Sequence, residues 1–402
     1  MKLHFFKVHD KLGNEVIFVN AKSLEKEMIA LRREFHQIPE VAFEEFKTSK
    51  KIKEYLEQFG MKDIKSYAST GIAAVVYGKN PGKTIGVRVD IDALPVTEEN
   101  EIPYRSTHPG KMHACGHDAH IAIGLGLAKV FYENRESLSG NVKFIFQPAE
   151  EGVGGAEPMI KEGVLQNPTV DYMLGCHLWP EIPSPKIDIT SGSTFASSDV
   201  FQLHIKGFGG HGGMPEKVKD CVYAGAKVAA ALKELYFSAP YEKKTVISVC
   251  SFEAPSAANV YPASCVIKGT IRTLSEKIRA KVKEDIRSLV TQILDALNIP
   301  FELTITPEYP TLVNDDKLLS IMESCAKELF GDEQIIHHGP TMAAEDFAFF
   351  TQALPSCHVK IGCGNSECCM PLHNPKFNLD ESAIVTAASL LERMILELLK
   401  PE

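Results

Sequence analysis

The chain has 402 residues, 44% of them hydrophobic and 24% charged, the composition of a globular protein with room for two cores. A net charge of −9 argues against nucleic acid or an anionic membrane as the main partner. No run reaches membrane-span length, the opening Met1-Lys-Leu-His-Phe-Phe-Lys-Val-His-Asp10 is too polar for a signal peptide's apolar core, and the ten cysteines are irregularly spaced. A cytoplasmic protein with reduced thiols, adjacent Cys368-Cys369 included, is therefore expected.

Residues 1–20 offer only the alternating Val16-Ile-Phe-Val19, the mark of a short hairpin or an appended arm. From Ala21, the spacing of Leu24, Met28, Leu31 and Phe35 predicts a helix that Pro39 ends. A second runs from about Thr48 to Phe59 and stops at Gly60. Strands follow at Ile72–Tyr77 and Thr84–Val89, and the latter ends in Asp90-Ile-Asp-Ala-Leu-Pro95. Aspartates at a strand's carboxyl end sit where α/β sheets keep their chemistry, although an Asp-rich turn has the same look.

The densest chemistry is His113-Ala-Cys-Gly-His-Asp-Ala-His120, which runs straight into the apolar Ile121–Val130 helix. Sulfur, imidazole and carboxylate crowded into one turn suit a divalent transition metal. Cys115 and His117, two residues apart, share a face on an extended segment or tight turn, so the ligands are placed just before the helix. A solvated His-rich turn and a Cys115 nucleophile with a histidine base remain open at this point. Next, strand Asn141–Phe146 ends in Gln147-Pro-Ala-Glu-Glu151, ahead of a glycine loop. One of two adjacent carboxylates can ligate a metal while the other takes a proton from water, though Glu-Glu is also a frequent surface pair. A strand near Val170–Leu174 ends in Gly175-Cys-His177, another ligand candidate or a satisfied core histidine. Three strand ends bearing acid or imidazole raise the metal reading above what any one supports.

Small polar residues at Ser191–Ser198 read as a linker into a second domain. It opens with the alternating Asp199–Lys206 strand, then the glycine-rich Gly207–Gly213 around His211. A helix at about Asp220–Tyr236, strands Thr245–Cys250 and Cys265–Ile271, a helix at about Ser275–Leu297 and a strand Phe301–Thr306 make a β-α-β-β-α-like unit closed by a further strand. The chain then returns to the first domain. It carries a helix around Lys317–Leu329, a strand Cys357–Gly362, loop residue His373 and a terminal helix from about Ser382 to Leu399.

Together, Arg32-Arg-Glu-Phe-His-Gln-Ile-Pro-Glu40, Asp90–Pro95, His113–His120, Phe146–Gly152, Gly209-Gly-His-Gly212, Asn259-Val-Tyr-Pro262, Gly269–Thr273, Glu345-Asp-Phe347 and Leu372-His373 resemble the amidohydrolase branch of the aminoacylase/carboxypeptidase metallopeptidase superfamily. That branch holds hippurate hydrolases, N-acyl-amino-acid deacetylases and indole-acetyl-amino-acid hydrolases. The resemblance implies an α/β fold, a mixed-sheet, phosphorylase/hydrolase-like catalytic domain at 1–195 and 311–402. Residues 196–310 would form an inserted ferredoxin-like α+β lid and dimerisation domain. It implies two divalent metal ions, manganese or zinc with cobalt or nickel as alternatives, held by Cys115, His117, Glu151, His177 and His373. Glu150 would be the general base and acid, with Asp92 supporting the site. His211 would reach the substrate carbonyl oxygen, in its own or a partner's site, and Asn259 and Arg272 would hold the substrate carboxylate. The implied substrate is an N-acyl amino acid and the implied partner a second copy of the chain. Departures at Glu216, Cys221, Pro255-Ser256 and the Cys368-Cys369 loop bear on substrate choice. A dipeptidase or aminopeptidase of the same superfamily, a non-catalytic binding relative and a cysteine hydrolase are the competing readings.

Overall fold

The structure, a computed structural model, describes residues 7–9, 15–17, 19–238, 241–242 and 244–400. Lys7–His9 pairs antiparallel with Glu15–Ile17, a hairpin whose register falls one to two residues earlier than the alternation at 16–19 suggests. Phe18 lies outside the described residues. The chain divides into two units, Met1–Gly192 with Asn314–His338 and Phe349–Glu402, and Ser193–Val313 with Gly339–Ala348.

The first unit is built on an eight-stranded sheet. Its order is Ile335–Ile336, Ile187–Asp188, Ser356–Gly364, Tyr172–Pro183, Asn80–Asp90, Ser139–Gln147, Gly71–Tyr77, Ile64–Tyr67. Ser356–Gly364, Tyr172–Pro183, Asn80–Asp90 and Ser139–Gln147 run parallel, and Gly71–Tyr77 and Ile64–Tyr67 add antiparallel pairs at one side. The parallel strands read as near-continuous apolar runs because both faces are covered. Helix α1 (Glu25–His36) buries Met28, Leu31 and Phe35, and α2 (Phe46–Gln58) buries Ile52 and Leu56. Helix α3 (His117–Glu133) is buried nearly throughout, Ile121, Ile123, Leu125, Leu127 and Phe131 included. Each such side chain contributes about 1.5–3 kcal/mol on leaving water. Gly126 lets α1 approach, since a Cβ there would collide with the Met28 sulfur.

Two expectations change. The strand expected to end near Leu174 continues to Pro183, so His177 lies in mid-strand. Leu178 and Trp179 carry the parallel pairing onward, with His177 opposite Lys360. Also, His117 is the first residue of α3 rather than a residue before it. Gly116, with φ +84°, makes the sharp turn from Cys115 into the helix.

The second unit holds a four-stranded antiparallel sheet in the order Thr245–Glu253, Ser264–Thr273, Ser197–Lys206, Phe301–Pro307. With helices Cys221–Ser238 and Glu276–Ala296 the connectivity is β-α-β-β-α-β. Alternation buries Phe201, Leu203 and Ile205 of one strand against Val228, Ile286 and Val290 of the helices. The segment read as a linker is regular structure, Ser193–Phe195 and then Ser197–Lys206. Residues 339–348 also pack here, through the Phe195–Thr341 bridge and the Ala196 N–H to Ala343 carbonyl bond. No described helix is long and apolar enough to cross a membrane.

Candidate metal centre

The centre is assembled by the first unit from strand ends, one mid-strand residue, the start of α3 and a late loop. Asp92 lies just beyond the Asn80–Asp90 strand, Glu150 and Glu151 just beyond Ser139–Gln147, and His177 within Tyr172–Pro183. His373 arrives from the loop after Ser356–Gly364, in a left-handed conformation (φ +66°), with its N–H donated to the Ala114 carbonyl at 2.8 Å. That bond ties the late loop to the Cys115 turn.

The hydrogen bonds fix what each imidazole presents. His117 Nδ1 lies 2.9 Å from the Asp92 carbonyl oxygen and 3.2 Å from Asp92 Oδ1, so Nδ1 carries the proton. Nε2 is then the nitrogen left facing the cavity, buried and with no hydrogen-bond partner. His177 Nδ1 likewise donates to the Leu178 carbonyl at 2.7 Å, leaving Nε2 facing Cys115 Sγ at 3.4 Å. Donation from Nδ1 to a carbonyl or carboxylate is the arrangement that orients metal-binding histidines. His373 Nε2 lies 3.1 Å from Glu151 Oε1.

Ligand atoms of Cys115, His117 and His177 lie within 4.8 Å of one another, as do those of Cys115, Glu151 and His373, and of His117, Glu150 and Glu151. Two donor triads thus share Cys115, the geometry of adjacent metal positions. Burial, then Glu151 and Glu150, push the Cys115 thiol well up. Burial opposes protonation of His117, but Asp90, Asp92 and Glu151 outweigh it and raise the imidazole to about 10. Both shifts say that the cavity favours positive charge. An orphaned imidazole nitrogen in an anionic pocket with sulfur, nitrogen and oxygen donors fits divalent transition metals.

Other polar residues support rather than ligate. Asp90 is committed on both oxygens, to Arg88 Nη1 at 2.7 Å and His120 Nδ1 at 2.5 Å, while His120 Nε2 accepts the Leu178 N–H at 3.1 Å. Asp90 and His120 are therefore structural, although they lie near His117. Asp92 holds two candidate ligands at once, receiving His117 on Oδ1 and the Glu151 N–H on Oδ2 at 2.9 Å. Asp92→Ala is expected to weaken metal binding about 10–100-fold, measured by competition with a chelator. Unchanged affinity would mean that the backbone alone orients the two ligands.

Sequence reasoning passed over the polar network behind the centre. Arg32, fully buried, donates to Asp118 Oδ2 (2.9 Å), Glu381 Oε1 (3.0 Å), Asn378 Oδ1 (2.9 Å) and the Tyr104 hydroxyl (3.1 Å). His36 bridges Asp118 Oδ2 and Glu98 Oε1. The available signal was Arg32 and His36 at i, i+4 on the face that also carries Met28 and Phe35.

The remaining candidates belong to the second unit. His211 is exposed in a two-residue strand paired with Val260–Tyr261, and the Gly212 N–H binds the Asn259 carbonyl at 2.7 Å, so His211 and Asn259 are neighbours. His211 Nδ1 accepts the Gly213 N–H at 3.0 Å, which leaves the proton on Nε2. This is the opposite tautomer to His117 and His177, suited to donating rather than ligating. Arg272 lies on Ser264–Thr273, and its Nη1 is buried with no hydrogen-bond partner.

Residues 86–397 match Peptidase family M20/M25/M40. The chain belongs to that family. Among M20 relatives it is 33% identical over 379 residues to the hippurate hydrolase of Campylobacter jejuni, spanning 94% of this chain and 98% of the relative. It is 33% identical over 385 residues to the N-acetylcysteine deacetylase of Bacillus subtilis, spanning 94% and 99%. The crystal structure of Bacillus subtilis YXEP, described as a dinuclear metal binding peptidase from the M20 family, superposes with a TM-score of 0.82 at 31% identity, covering 94% of this chain and 99% of that one.

Proposed function

We propose that this M20 protein is a metal-dependent amidohydrolase that splits the amide bond of N-acyl-L-amino acids, with acetyl, benzoyl or a related acyl group, into a carboxylic acid and a free amino acid. The observation that carries the reading is Glu150, a carboxylate beyond the five donors Cys115, His117, Glu151, His177 and His373, with an oxygen within 4.8 Å of ligand atoms of His117 and Glu151. Manganese or zinc is the proposed metal pair, with cobalt or nickel as alternatives. The protein is proposed to work as a homodimer or higher homo-oligomer in the cytoplasm, where its thiols stay reduced.

Two divalent ions, when bound, supply polarisation of the amide carbonyl and activation of water. Glu150 takes the proton from the attacking water and delivers it to the leaving nitrogen, serving as base and then acid. His211, with its proton on Nε2, is proposed as the donor to the oxyanion. Arg272 and Asn259 are proposed to hold the substrate carboxylate, a role that suits a guanidinium nitrogen lacking a protein partner.

The test is amine release from acetyl-, benzoyl- and indole-acetyl-amino acids and from dipeptides, using chelator-stripped protein refilled with each metal. Turnover of an N-acyl amino acid only after refilling is expected. Preference for dipeptides would move the protein to the peptidase side, and activity that survives chelation would overturn the metal reading.

A further inference from the structure

We infer that Glu45 is a positioning residue for Glu150, acting through the backbone of the turn that carries it; this rests on the reading of Glu150 as the proton carrier. Glu45 stands at the start of α2, yet its carboxylate caps none of that helix's N–H groups. It is fully buried and points instead at the Gln147–Glu151 turn. Oε1 accepts the Ala149 N–H at 3.0 Å, and Oε2 accepts the Thr70 hydroxyl at 2.6 Å. A buried carboxylate is costly unless its oxygens are hydrogen-bonded, and here each has a donor.

What Glu45 grips is unusual. Ala149 has φ +57°, a left-handed conformation that a non-glycine residue holds only when its surroundings impose it. On an extended segment, successive side chains point to opposite faces. The left-handed residue breaks that alternation just before Glu150 and Glu151, and both carboxylates place an oxygen within 4.8 Å of a His117 ring nitrogen. The Gly154 N–H closes the turn on the Ala149 carbonyl at 2.8 Å. Gly155 permits this, because a Cβ there would collide with the Pro148 carbonyl oxygen.

Two buried carboxylates therefore clamp the turn from either side, Glu45 on the Ala149 N–H and Asp92 on the Glu151 N–H. Their roles separate. Asp92 also binds His117, a candidate ligand, whereas the hydrogen bonds of Glu45 run to Ala149 and Thr70. Loss of Asp92 strikes the metals; loss of Glu45 misplaces the proton carrier.

The experiment compares Glu45→Met, Glu45→Ala, Glu45→Gln and Glu150→Gln in the full-length, manganese-filled protein with the best substrate of the panel. Met keeps the bulk without an acceptor. Gln keeps an oxygen for the Ala149 N–H and can donate to Thr70. The Met and Ala variants are expected to lose about 10- to 100-fold in kcat, the scale of an ångström's misplacement, with KM within about threefold. Elemental analysis is expected to find parental metal content in both. The Gln variant is expected to stay within about threefold of the parent. A Met variant with parental kcat, a Met variant that loses metal, or a Gln variant as slow as Met would each overturn the proposal. If neither Met nor Ala folds, Thr70→Val carries the test: a lower kcat at constant KM is expected, and parental kcat would overturn it. Parental turnover in Glu150→Gln would instead overturn the reading of Glu150 itself.

Discussion

Glu150→Gln is expected to bind its divalent metals as tightly as the parent while releasing amine about 10²–10⁴-fold more slowly. The amide matches the carboxylate in size, so the buried position stays filled and the five-donor set is untouched. What disappears is a group that can accept a proton from water and return it to the leaving nitrogen. Metal content by elemental analysis and kcat on one N-acyl amino acid decide the matter. Near-parental turnover with full metal would remove Glu150 from the chemistry and return the general base to an unidentified group.

The largest effect on stability is expected from Arg32→Met, at about 3–5 kcal/mol of unfolding free energy. The variant strips Asp118, buried at the start of α3, of a guanidinium 2.9 Å away, and removes the link to Glu381 and Asn378. Replacement of a buried ion pair by apolar groups on both sides is often neutral; removal of one partner alone is not. Arg32→Lys is expected to recover little, because one ammonium cannot span four acceptors set out for a planar fork. Burial works against ionisation of Asp118, but Arg32 and His36 prevail and hold it far below the usual carboxylate range. That contribution is present above the ordinary aspartate pKa and is lost as pH falls toward the folded-state value. The parent should therefore lose stability more steeply in acid than Arg32→Met. Denaturant midpoints at neutral pH and at pH 3–4 measure both effects, and a loss under about 1 kcal/mol would show that the network is dispensable.

Periodicity and strand-end chemistry made much of this molecule legible. The apolar runs around Val87 and Phe144 gave the parallel strands, and carboxylates just past their ends marked the centre. His177 was located by its neighbours in sequence but misplaced in its strand. Nothing local distinguishes a strand that stops at Leu174 from one whose pairing with Ser356–Gly364 continues to Pro183. Tertiary pairing sets that boundary. Glu45 left even less trace: Glu44-Glu45 has the look of a surface pair, and in fact Glu44 is largely exposed and reaches Lys111, while Glu45 is buried. Both precede α2, so no helical periodicity separates them; the distant partners Ala149 and Thr70 do. His211 and Arg272 were found through resemblance, and their tautomer and unpartnered nitrogen came from coordinates, since neither is written in residue order.

The bond from His373 to the Ala114 carbonyl bears on how the chain acquires its metals. The first triad draws on the first half of the sequence alone, whereas the second adds His373 from near its end and is incomplete until the closing segment docks. Loop closure over such separations is slow compared with local helix formation. The first triad waits as well, because His177 lies opposite Lys360 in a strand pairing that the late Ser356–Gly364 segment supplies. Metal-linked stability should accordingly appear only in the finished chain, once its closing segment has docked on both triads.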